Sequence, residues 1–119
     1  MKYLLNTIVA LLAFAGDAAF ADHANHTLAN ARSLVADCQS DQATLRAMCI
    51  GYLAAISDGV EQHQKVGVAK RSVCVPRNVD LEAYRLALLQ YVAKTPSAIE
   101  GHSFEVVQAA LMAGWPCSG

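Results

Sequence analysis

Apolar residues recur along this chain at helical spacing. Between Asp41 and Gln64, Leu45, Met48, Cys49, Tyr52, Ile56, Val60 and His63 fall on one stripe at i, i+3, i+4 and i+7. The stripe predicts a helix over 41–64, capped by Ser40 or Asp41, with that face in the core. Thr27 to Cys38 has the same period and predicts a shorter helix before it. A third helix is expected from about Val79 to Lys94, with Asn78 as its cap. Leu81, Tyr84, Leu88, Tyr91 and Val92 supply its apolar side, and Val79 and Leu86 point elsewhere. Thr95-Pro96 is a cap followed by proline at the first helical position. It predicts a fourth helix over 96–113 that buries Ile99, Val106 and Ala110. Gly114 ends it, and Trp115-Pro116-Cys117 ties down the terminus. No alternating pattern predicts a strand. The expected fold is all-α, a small disulfide-stapled bundle of about four helices.

The second helix carries an oddity. In MCIGYLAAISDGV, Met48 to Val60, two glycines and an aspartate interrupt good helix formers. A helix-interior glycine costs roughly 1 kcal/mol against alanine. Gly51, Ala54, Ala55 and Asp58 share a face distinct from the apolar stripe, and Gly59 lies at its margin. Small residues there predict close approach by another helix or a second subunit. Arg46, Ser57 and Glu61 are left as the solvent sector. Asp58 is expected to make a hydrogen bond or ion pair across the helix interface.

The first 21 residues read as a secretory signal. Lys2 is a basic n-region, Leu4 to Ala15 an apolar h-region, and Ala19-Phe20-Ala21 a cleavage site. The remainder, 22–119, is one expected domain with no membrane span, since no later stretch approaches about 18 apolar residues. Nine basic and ten acidic side chains leave a net charge of −1. Cleavage removes one of each, Lys2 and Asp17, so the balance holds. No basic field for nucleic acid exists. The four cysteines, Cys38, Cys49, Cys74 and Cys117, read as two disulfides in an exported domain. Three connectivities are open. An up-and-down helix order favours Cys38–Cys49 with Cys74–Cys117, and a long loop folded back would favour another. No zinc spacing, redox C-x-x-C or other cofactor pattern is present.

Candidate chemistry is sparse. His63 and His102 lie on or near apolar stripes, and His23 and His26 fall in the expected polar tail. Asp58 and Glu61 are three residues apart, on adjacent faces; paired acids can do acid–base work, but these read as a solvated surface or as partners of a basic side chain. No nucleophile elbow, P-loop or zincin motif occurs. The expectation is a protein that is not an enzyme, with no metal and no cofactor.

Several elements together resemble one family. Cys49-Ile50-Gly51-Tyr52 with Asp58, then Cys74-Val75-Pro76 with Val79, Tyr91-Val92, Pro96 and the closing Trp115-Pro116-Cys117 are similar to the Rap/Tai immunity proteins of type VI secretion. The resemblance runs from about Leu34 to Cys117, with departures at Ala55, Ala83, Thr95, Glu100 and Trp115. It implies a helical periplasmic protein, often a homodimer, that binds and inhibits a peptidoglycan amidase effector. Inhibition by covering a cleft needs no catalytic residue. The one long connection, Lys65 to Val75, is basic, and Lys65, Lys70 and Arg71 are its candidate partner-binding residues. The other readings are a periplasmic acid-stress chaperone and a structural domain on the same scaffold.

Overall fold

The computed structural model describes residues 27–118. The expected signal segment, with His23 and His26, lies outside them. Four α-helices follow in order: α1 (Ala31–Gln39), α2 (Ala43–Lys65), α3 (Leu81–Lys94) and α4 (Ser103–Gly114), with a 3-10 turn at Pro96–Glu100 before α4. α2 is the central element and packs against α1, α3 and α4, while α3 and α4 pack most extensively on each other. No helix among the described residues is long and apolar enough to cross a membrane.

Each helix gives one leucine to the centre. Leu34, Leu53, Leu88 and Leu111 are all at most 2% exposed, and Val107, Cys38 and Cys49 fill the space between them. Each leucine contributes about 1.5–3 kcal/mol by leaving water. The buried side of α2 is Cys49, Leu53, Ser57 and Val60. That is a rotation away from the stripe read from sequence: Leu45, Met48, Tyr52 and Ile56 are only half-buried, and His63 is exposed. Ser57, expected in solvent, is buried. Its hydroxyl donates to Tyr84 Oη at 3.3 Å, so a polar group is accepted in the core because a partner meets it. Tyr84 in turn sits edge-on to Trp115 with centroids 5.6 Å apart.

The helix starts also differ from expectation. Gln42 precedes α2 without any side-chain cap, although Ser40 Oγ accepts from Gln42 N just outside. Asp80, not Asn78, caps α3 by accepting from Glu82 N at 2.9 Å. The expected fourth helix is two pieces. Gly101 and His102 turn extended, and a Cβ on Gly101 would stand 3.3 Å from both Ala98 O and Val106 Cγ2. The main-chain groups freed by the break are used elsewhere. Ala31 N donates to Gly101 O and Ser103 N to Ala29 O, at 3.1 and 2.8 Å. This short bridge ties the start of α1 to the start of α4. His102 Nδ1 accepts from Phe104 N, so this exposed histidine is a helix cap.

Arg85 joins α3 to the end of α1. Its Nη1 donates to Cys38 O at 3.0 Å, and its remaining donors hold Glu82. The hydrogen bond from Arg85 keeps the Glu82 carboxyl below the usual carboxylate range. Two disulfides, Cys38–Cys49 and Cys74–Cys117, staple the ends. The first joins α1 to α2, and the second joins the long connection to the chain terminus.

The face with Gly51 is open. A Cβ on Gly51 or Gly59 would meet nothing within 4 Å. Gly51, Ala55 and Asp58 are all exposed. Among the described residues, the close helix approach expected there does not occur, and Asp58 forms no ion pair. The bundle closes with α2 turned so that its leucine side, and not its glycine side, faces α3 and α4.

Candidate functional site

The connection between α2 and α3 is long, yet it is fastened at each step. It begins with a helix end in which Gly67 takes a left-handed φ of +78°. Val68 N then donates to His63 O at 2.9 Å and Gly67 N to Gln64 O at 3.3 Å. Those two bonds cap the last carbonyls of α2, a role that suits glycine because a Cβ would be strained at this φ.

Gln64, on the last turn of α2, then grips the returning chain. Its Oε1 accepts from Ser72 N and Val73 N at 2.8 and 2.9 Å, and its Nε2 donates to Val73 O at 2.8 Å. Val73 is buried and pairs antiparallel with Pro116. Cys74 N donates to Trp115 O at 2.8 Å, next to the Cys74–Cys117 disulfide. A connection this long would ordinarily be mobile. Here a side-chain clamp, a backbone bridge and a covalent bond hold its second half.

What the loop presents to solvent is basic and apolar. Lys65, Lys70, Arg71 and Arg77 are exposed. Val66 and Val68 are 58% and 75% exposed. Among the described residues, the ion pairs are Arg32–Glu100 and Arg85–Glu82, and neither uses a loop cation.

Two clefts flank the loop. One of about 580 Å³ lies between α2 and the loop. Glu61, Lys65, Arg71 and Arg77 line it, with Val73, Val75 and Pro76 as apolar wall. The other, about 420 Å³, is bounded by Lys70, Arg71, Met112 and Pro116. Arg71 borders both. The structure therefore brings the sequence-predicted Lys65, Lys70 and Arg71 to one continuous region. It adds Arg77 and the Gln64 clamp, which sequence reading missed, and Glu61, which the sequence placed in the solvent sector of α2. The interval between Gln64 and Val73 held no signal for the clamp, because its partners are main-chain atoms. Arg77 could have been found from the turn that follows Pro76, where Val79 N bonds Pro76 O.

Nothing in this region has the arrangement of a catalytic centre. All four cysteines are in disulfides. Among the described residues, no group of three or more His, Cys, Asp or Glu side chains could hold a metal ion.

The model of the Rap1a immunity proteins matches residues 30–117. The match begins at Asn30, which caps α1 by accepting from Arg32 N and Ser33 N, and ends at the last cysteine of the second disulfide. No curated protein and no solved structure matches. The match takes in the four helices, both disulfides and the loop between α2 and α3, and the chain belongs to the Rap1a family of immunity proteins, non-catalytic inhibitors of type VI secretion amidase effectors.

Proposed function

We propose that the loop after α2 is the surface this immunity protein lays against its amidase effector. Lys70 and Arg71 lead the contact, Lys65 flanks it, and the exposed Val66 and Val68 supply apolar area. The observation that carries this reading is the Gln64 clamp. A loop already held in one shape loses little conformational freedom on binding, so more of its contact energy appears as affinity. Exposed cations that form no ion pair among the described residues are available to steer and orient a partner.

The double variant Lys70→Glu/Arg71→Glu tests it. Both side chains are exposed, so circular dichroism should show an unchanged fold. Calorimetric titration against the cognate effector should show affinity reduced about tenfold at low salt, with the gap to wild type narrowing at high salt as the charges are screened. Unchanged affinity and unchanged amidase inhibition would remove the loop from the interface.

Export to the periplasm belongs to the same reading, because two disulfides suit an oxidising compartment. So does pairing with a second copy, which the open Gly51 face of α2 leaves room for. Protein recovered from the periplasmic fraction should begin near Asp22 by mass and sediment as two copies. An uncleaved chain, or a monomer at high concentration, would count against the respective part.

A further inference from the structure

The cleft between α2 and the loop has an unusual wall. Its neutral polar side chains are already engaged. Gln64 is bonded to Ser72 and Val73, and the Ser57 hydroxyl donates to Tyr84. The side chains of Val73, Val75 and Pro76 offer only apolar contact. What remains for a ligand is charge: Lys65, Arg71 and Arg77 against the single carboxylate of Glu61.

The three cations come from different places. Lys65 ends α2, Arg71 precedes the Gln64-clamped residues, and Arg77 follows Pro76. The clamp is what gathers them around one space. Cations along a concave, partly apolar wall reinforce one another's field more than the same charges on a flat surface. The arginine forks match the two oxygens of a carboxylate. At about 580 Å³ the space suits one side chain and its neighbours, not a folded element. The chain's net charge of −1 gives no far-reaching field for a polyanion.

We infer that this cleft is a socket for an aspartate or glutamate side chain of the effector, with Arg77 as a specificity-determining residue and Glu61 as the group that opposes entry. The inference rests on the reading of the loop as the effector-facing surface and deepens it. The incoming carboxylate is held by Arg71 and Arg77 with Lys65 behind them. Glu61 repels it, so only a carboxylate presented at the cationic side of the cleft is accepted. Opposite effects on affinity follow from the two charges, which a merely structural role would not produce.

The experiment is calorimetric titration of wild type, Arg77→Gln and Glu61→Gln against the cognate effector, at low and high salt, with amidase inhibition read in parallel. Both residues are exposed, and thermal melts verify that each variant folds. Arg77→Gln should weaken binding about tenfold, and Glu61→Gln should tighten it about threefold, with both differences shrinking at high salt. Opposite shifts of this kind support the socket, and because Arg71 lines it, Lys70→Glu/Arg71→Glu must weaken binding as well; an unaffected double variant overturns both the socket and the loop reading. Effector binding by wild type with both single variants unchanged overturns the socket and leaves the loop reading standing. Absence of any effector binding by wild type overturns both. A purified muropeptide is the counter-probe: if it binds wild type and Arg77→Gln abolishes that binding, the carboxylate comes from the cell wall, and the assignment to an effector side chain is overturned.

Discussion

Replacing Cys74 and Cys117 together by serine should lower stability by about 4 kcal/mol, against about 3 kcal/mol for the Cys38/Cys49 pair. The difference comes from the unfolded chain. The second disulfide joins residues 43 apart, the first residues only 11 apart. Closing the longer loop removes more freedom from the unfolded ensemble, and each cross-link is credited with that loss. Guanidinium unfolding of the two double variants, with both midpoint and slope recorded, is the measurement. A function-level difference should accompany it. Without Cys74–Cys117 the loop keeps the Gln64 clamp and the Cys74 N to Trp115 O bond but loses its covalent tie. Effector affinity should therefore fall for this variant and hold for the other. Equal losses of stability from the two pairs, with no effect of either on affinity, would contradict this account.

Gln64→Leu is the second large effect. The substitution keeps approximate volume but removes one acceptor and one donor. Ser72 N, Val73 N and Val73 O then lose their partners, beside a Val73 side chain only 6% exposed. A net hydrogen bond is worth about 1 kcal/mol, and groups left unpaired away from water cost more. A loss of about 2–3 kcal/mol follows, which for a domain of this size lowers Tm by roughly 10 °C or more. Hydrogen exchange should locate the damage. The Ser72 and Val73 amides should exchange faster relative to Leu53 and Leu88 in the core. Gln64→Glu should fall between, because it can still accept from both amides but cannot donate to Val73 O. If exchange at Ser72 and Val73 is unaltered in Gln64→Leu, the clamp does not hold the loop.

Much of this scaffold was legible in the sequence. Four helices, two disulfides and the basic loop follow from period, charge and cysteine number, although the expected caps Ser40 or Asp41, Asn78 and Thr95 are not the ones that cap the starts of the α-helices. The family resemblance rested on the same cysteines, glycines and prolines, and the family is the one found. The phase of α2 was not legible. Its small residues make several faces nearly equivalent in hydrophobicity, so period alone does not choose among them. Ser57 looks like a surface residue until Tyr84, 27 positions away, supplies its hydrogen-bond partner. The break at Gly101 and His102 was missed for a similar reason. Thr95-Pro96 is a sound helix start, but the main-chain bonds that reward an extended Gly101 come from Ala29 and Ala31. At the candidate site, Lys65, Lys70 and Arg71 could be named because charge is visible in a sequence. Gln64 could not, because its role depends on where the backbone returns.

The Gln64 clamp holds only main-chain atoms of the loop. No side chain between Val66 and Ser72 takes part in that grip. Apart from Gly67, whose φ constrains it, those positions can change without altering the frame that displays them. An inhibitor whose target changes by mutation needs such a division of labour. On the proposed reading of the loop as the effector-facing surface, it can be rewritten one residue at a time to follow a drifting enzyme, and each trial sequence arrives already folded into the presenting shape. On this account, chimaeras that exchange residues 68–71 among related immunity proteins should transfer partner preference at little cost in stability.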